Sequence, residues 1–259
     1  MAEAKYPRRR AIVTGASGGI GRAIADALAA SGAKVLLVAR DEAGLKRAAE
    51  EIRAAGGQAA WVSADLSQEG SEAAIVEAAL SEMGGIDTLV NCASLTLSVD
   101  FFTLTDAQWK AGFDVKVFGA IRLCRAAWPH LRETQGSIVN IGGVGARTPK
   151  VDYEMSAALS AALMAVTKAL ASRGVEDGVQ VNLIHPGSIR TPRIEAMFGG
   201  SDDPVARAEA LKARARSFGA NRLGEPEDIA NLVAYVVSPA GDFFQGSMID
   251  MDGGFTRGI

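Results

Sequence analysis

The chain has 259 residues, 48% hydrophobic and 22% charged, enough apolar material for one large folded unit and too much for a disordered chain. A net charge of -3 offers no footprint for nucleic acid, and the RRR cluster at 8–10 reads as a solvated approach to the first strand. No secretory leader is expected in MAEAKYPRRR, and no apolar run is expected to reach the roughly 20 residues of a membrane span, so a cytoplasmic setting is the simplest reading.

In chain order, strands are expected at 11–15, 34–39, 58–64, 88–93, 136–141, 179–186 and 246–252. Helices are expected at 19–31, 41–55, 70–84, 105–132, 152–174, 204–216 and 225–238. Strands apolar on both faces, alternating with helices, predict an α/β fold: a single-domain, Rossmann-type, doubly wound parallel sheet with helices on both faces. No linker or repeat divides residues 1–259. The polar, Gly-rich stretch 197–210 is the best candidate for a mobile lid, within an insertion around 193–216.

The first strand runs into IVTGASGGIGRAIADAL, with Gly15, Gly19 and Gly21 at a strand-to-helix turn and Ser17 and Ile20 between them. Glycine permits the tight turn and lets backbone N–H groups at the helix start approach a pyrophosphate. Cys92 and Cys124 show no CxxC or metal spacing, and His130 and His185 show no ligand pattern, so neither a disulfide framework nor a metal site is expected.

These glycines, spaced TGxxxGxG, resemble those of the short-chain dehydrogenase/reductase family, and further segments follow suit from Arg10 onward. ADL at 64–66 is similar to the family's adenine-contacting turn, which implies contacts from Asp65 and Leu66. NCA at 91–93 resembles its NNAG motif, with Cys92 in place of the second asparagine, and brings in Asn91 and Ala93. HPGSIRTP at 185–192 resembles the segment that cradles the nicotinamide, implying Pro186, Gly187, Ile189 and Thr191. NAD-preferring members end the second strand on an acid. Here Ala39 stands near that position and Arg40 follows, which suits the 2′-phosphate of NADP over NAD unless Arg40 is simply solvated; Asp41 blurs the preference.

The catalytic end departs from the family pattern. There, a tyrosine acts as acid or base, a lysine four residues on lowers its pKa, and a serine and an asparagine complete a tetrad. Matching AALMAVTKAL to the family segment after the lysine puts that lysine at Ser160 and the tyrosine at Ser156. The family serine then falls at Gly143 and the asparagine at Lys116, and Pro149 supports the same register. Two readings stay open. In one, Tyr153 is a rebuilt acid/base partnered by Lys116, with Ser156 as an orienting hydroxyl. In the other, Tyr153 packs at the helix start and Lys116 is solvated. Lys168 lies too far along the helix to substitute for a lysine at 160, and Ser94 and Ser98 read as local turn formers before pocket residues.

The resemblance implies an NAD(P)-dependent oxidoreductase, NADP-preferring, with a rebuilt or weakened site and a small-molecule carbonyl substrate. The alternative is a non-catalytic NADP-binding sensor or partner subunit, with a non-redox lyase or dehalogenase ranked last. A homodimer or homotetramer is expected through the Ala-rich helix from Ser156 to Ala171. Phe101, Phe102, Met197 and Phe198 are candidates for an apolar pocket wall.

Overall fold

Alternation of side chains along the strands divides the core in two. On β1 (Arg10–Thr14), Ala11 and Val13 face one apolar cluster while Ile12 faces another. On β2 (Lys34–Ala39), Val35 and Leu37 join the first and Leu36 and Val38 the second. A strand buried on both faces needs helices on both faces. The computed structural model, described over residues 9–95, 97–198, 203–217 and 219–257, supplies them. The side chains of Met197 and Phe198 lie outside the described residues.

The sheet is completed by β3 (Gln58–Ser63), β4 (Thr88–Asn91), β5 (Ser137–Ile141), β6 (Gln180–Pro186) and β7 (Met248–Met251), all parallel, in the order β3-β2-β1-β4-β5-β6-β7. Three helices build one layer: α1 (Gly19–Ala30), α2 (Glu42–Ala54) and α9 (Pro226–Val236). The other holds α3 (Ser71–Met83), α5 (Gly119–Thr134) and α6 (Glu154–Asp177). The chain reverses its winding between β1 and β4, and a crevice opens there at the carboxyl ends of the strands.

Four details differ from the sequence expectation. The helix expected at 105–132 is α4 (Asp106–Phe113) and α5 joined through a π turn at Asp114–Phe118, a feature that widens a helix locally and often marks a site. The helix expected from 152 starts at Glu154, because Asp152 takes φ 64 and Tyr153 is the N-cap. A helix not expected, α7 (Pro192–Phe198), precedes the polar stretch, while the helix expected at 204–216 forms as α8 (Pro204–Ser217), with Leu211 and Ala215 buried against Ile194 and Leu223. Finally, α6 is long and apolar enough to cross a membrane, with a mean hydropathy of 1.4, although no such run was expected. Its Leu159, Leu163, Thr167 and Ala171 are buried inside the fold, which accounts for the apolar composition.

Candidate functional site

Two cavities meet at the crevice and share Gly15, Ala93 and Ser94. The outer one, about 550 Å³, runs over the ends of β2, β3 and β4 past Ser17, Ala39, Arg40, Asp65 and Leu66. The inner one, about 410 Å³, runs from Gly18, Ile20 and Gly21 to Lys116, Tyr153 and Ser156, and includes Pro186, Gly187, Ile189 and Thr191. Both fall inside the roughly 300–1,000 Å³ range of small-molecule sites.

The glycines fit a dinucleotide on structural grounds. Gly15 takes φ 69, and a Cβ there would come within 3.1 Å of the Ala93 backbone. A Cβ at Gly21 would collide with the Gly15 carbonyl oxygen, so the turn closes only without side chains. Gly18, the N-cap of the 12-residue α1, has no side-chain cap, and a Cβ on it would meet nothing within 4 Å. Open space against uncapped N–H groups at a helix start is the setting a pyrophosphate needs.

At the adenosine end, Asp41 is already engaged: its side chain accepts from the Gly44 N–H at 3.0 Å and caps α2. Burial alone would raise the Asp65 carboxyl, but hydrogen bonds from Ser67 and the nearby Arg40 charge hold it below its ordinary value. Arg40 thus lines this cavity together with Asp41 and Asp65, near enough to Asp65 for its charge to act on that carboxylate.

The far wall of the inner cavity gathers the four positions expected to match the tetrad. From the π turn, Lys116 is only 5% exposed, and its Nζ donates to the Gly142 carbonyl oxygen at 2.9 Å and to Ser160 Oγ at 3.1 Å. A Cβ on Gly143 would lie 3.1 Å from Ser160 Oγ and 3.9 Å from Ser156 Oγ. Helical spacing puts Ser156 and Ser160 one turn apart on α6; Ser156 lines the cavity and Ser160 is fully buried behind it. Lysine at 116 therefore delivers its ammonium from the π turn to the hydroxyl of residue 160 on α6.

Burial lowers the Lys116 ammonium to about 8, with the Arg193 charge adding to the fall. Cys92, beside it, partly opposes that fall, while burial pushes its own thiol up to about 12 despite the Lys116 charge. The loop behind is braced by His185, whose Nδ1 lies 2.9 Å from the Gly143 carbonyl oxygen and 3.2 Å from the Gly143 nitrogen, and burial lowers its imidazole pKa.

The expected Tyr153–Lys116 pair is not what forms. Tyr153 caps α6 rather than riding on it, and its hydroxyl accepts from Arg214 Nη2 of α8 at 2.7 Å. Both residues line the inner cavity, but each has its own partner. Lys116 is not solvated either, so the second reading fails for it as well. Asn91 also departs from expectation as a cofactor contact. Its amide donates to Asn140 Oδ1 at 2.8 Å and to Cys124 Sγ at 3.3 Å, and it lies 5% exposed between β4 and the second layer. It holds strand ends in register instead. Gly19 borders Thr191, with its Cβ position 3.4 Å from the Thr191 methyl. Lys168 donates to the Gly246 carbonyl oxygen at 2.9 Å, well away from the cavity.

Sequence reading passed over three cations of this cavity, Lys150, Arg193 and Arg214, because they lie in loop and helix segments with no motif around them. It also missed Thr14, whose hydroxyl accepts from the Cys92 and Ala93 N–H groups at 2.9 and 3.1 Å and ties the glycine turn to the end of β4.

Residues 15–256 match the family described as "Enoyl-(Acyl carrier protein) reductase". The chain is 35% identical over 250 residues to the short-chain reductase protein NovJ of Streptomyces niveus, covering 94% of this chain and 92% of that protein. It belongs to the short-chain dehydrogenase/reductase family. Among solved members, L-sorbose reductase from Gluconobacter frateurii complexed with NADPH and L-sorbose has a TM-score of 0.93 at 30% identity, covering 98% of both chains. The 3-ketoacyl-(acyl-carrier-protein) reductase from Brucella melitensis complexed with NADH has a TM-score of 0.86 at 30% identity, covering 96% of this chain and 99% of that one. Membership makes this chain an oxidoreductase of the short-chain type. Since those two structures carry different dinucleotides, the choice between them rests on this chain's own residues.

Proposed function

We propose that this short-chain family member is an NADP(H)-dependent reductase of a small carbonyl compound, working through a rebuilt proton-delivery site centred on Lys116. The observation that carries this is the Lys116 ammonium, 3.1 Å from Ser160 Oγ, on the wall of a cavity continuous with the glycine turn.

Gly15, Gly18 and Gly21 would seat the pyrophosphate, Asp65 and Leu66 the adenosine, and Pro186, Gly187, Ile189 and Thr191 the nicotinamide end. Arg40 would meet the 2′-phosphate and so favour NADP. When bound, the cofactor supplies the hydride. The chain's part is to bind the carbonyl, orient it and hold a proton. An ammonium has three donors; Gly142 and Ser160 take two, leaving one for the cavity. Lys116 delivers that proton to the carbonyl oxygen as the carbon becomes an alcohol carbon, and the neutral amine regains a proton from solvent. A lysine with a pKa of about 8 is matched to this task near neutral pH, where an ordinary lysine holds its proton too tightly. Ser156, on the same wall, orients the oxygen. The helices α7 and α8, which bring Arg193 and Arg214 to the cavity, would cover it.

NADPH titration by fluorescence, repeated with NADH and followed by a carbonyl panel, tests the reading. Tighter binding of NADPH, with turnover lost in Lys116→Met, is expected. Binding without turnover of any carbonyl would leave a dinucleotide sensor in place of an enzyme.

A further inference from the structure

The Lys116 amine is held in the geometry of a nucleophile as well as that of a donor. Protonated, it has three N–H groups; neutral, it has two and a lone pair. The two acceptors beside it, the Gly142 carbonyl oxygen at 2.9 Å and Ser160 Oγ at 3.1 Å, take both N–H groups of the neutral form. The lone pair is then left to the inner cavity, whose wall Lys116 helps to form. Room for a carbon centre exists beside it. Gly143 has no side chain, and a Cβ on it would stand 3.1 Å from Ser160 Oγ and 3.9 Å from Ser156 Oγ. Ile141, Val144, Ile189 and Ile194 line the same space and give a carbon chain an apolar surface.

The neutral form is within reach near physiological pH. Charged and titratable groups face the amine from three elements: Cys92 after β4, His185 on β6 and Arg193 on α7. Burial is the main cause of the fall to about 8; the Arg193 charge adds to it and Cys92 opposes it. At pH 8 roughly half of such an amine is neutral, against roughly 0.3% of an ordinary lysine.

We propose that the inner cavity captures small aldehydes and ketones covalently, with Lys116 as the amine of a reversible imine. The Nζ lone pair attacks the carbonyl carbon; the nitrogen gives up one proton and the carbonyl oxygen takes one, forming a neutral carbinolamine. Protonated again, that oxygen leaves as water while the nitrogen lone pair forms the C=N bond of an iminium ion, and hydration from solvent reverses the sequence. The Ser156 hydroxyl, on the same wall, is placed to relay the proton to and from the oxygen. This is amine chemistry of the kind desolvated lysines perform on carbonyl compounds. It goes beyond hydride transfer and needs no dinucleotide.

Incubating the cofactor-free protein with pentanal and sodium cyanoborohydride, which reduces iminium ions in preference to aldehydes, fixes any imine as a stable secondary amine. Intact mass and peptide mapping then read its position. At pH 8, Lys116 should be alkylated at least about tenfold faster than an exposed lysine such as Lys46. That lead should shrink toward pH 10, as ordinary lysines lose their protons. Lys116→Arg keeps the charge and forms no imine, so it should show only the slow labelling of exposed lysines; the wild-type peptide map decides the matter even without the variant. Lys116 left unlabelled, or labelled no faster than Lys46, would overturn the proposal. Such a failure leaves the reductase reading standing, because neither measurement uses NADPH or turnover. Failure of NADPH to bind would strike at that reading alone.

Discussion

The two ends of the crevice are built on different terms. At the glycine turn, specificity resides in backbone: Gly21 leaves no room for a Cβ, Gly15 takes the left-handed φ of 69, and Gly18 presents uncapped N–H groups to open space. At the Lys116 wall it resides in side chains that arrive from separate elements, Lys116 from a π turn, Ser156 and Ser160 from α6, Arg193 from α7 and Arg214 from α8. A backbone site tolerates little change in its own sequence. A side-chain site can relocate a charge, provided the new residue reaches the same point in space. Under the proposed function, lysine at 116 with serine at 160 would be such a relocation; the two stand 3.1 Å apart.

Lys116→Met should give the largest effect. Removing a general acid costs about 10²–10⁴-fold in turnover, and NADPH affinity should hold, which steady-state kinetics and fluorescence titration would show together. Combining Lys116→Asn with Ser160→Lys moves the ammonium back to α6 and should recover part of the loss; no recovery would separate the two sites again. Next comes Gly21→Val. Its side chain has to displace the Gly15 carbonyl, so a cost of about 1–3 kcal/mol for overpacking should appear as a lowered Tm, with NADPH binding weakened at least about tenfold. Arg40→Ala should leave the fold intact and lower the NADPH-to-NADH preference by about tenfold, the worth of one charged hydrogen bond of roughly 1.4 kcal/mol.

The smallest effect concerns stability. Lys116 has a folded-state pKa of about 8 against an ordinary value of 10.5. Between these values the unfolded chain binds more protons, so the contribution of this group to stability rises with pH across that window and is at its poorest below about 8. Urea denaturation of the wild type, compared with Lys116→Met, should show the wild type gaining relative stability from pH 8 to pH 10; a flat difference would mean that the ammonium is not desolvated.

The fold was legible because strands buried on both faces produce continuous apolar runs, and such runs admit few arrangements. The glycine turn was legible for a related reason: backbone that approaches a ligand closely leaves its mark in residue type. Lys116 was legible as a position but not as a partner of Ser160. Periodicity placed Tyr153 on α6, but the left-handed Asp152 stops the helix short and hands the phenol to Arg214. Nothing in a linear pattern says that residue 214 folds back over residue 153. Asn91 misled in the opposite direction. Its place in a ligand-like motif hid a buried amide ladder through Asn140 to Thr167, where Asn140 donates at 2.8 Å.

The most direct test of the central claim is the pH dependence of NADPH-dependent carbonyl reduction in the wild type and in Lys116→Met, using the best substrate of a carbonyl panel. If Lys116 holds the proton, the wild-type rate falls as pH rises through about 8, and the variant is slower by at least about a hundredfold with that fall abolished. A variant that keeps both the wild-type rate and its decline above about 8 would contradict the account and place the proton elsewhere.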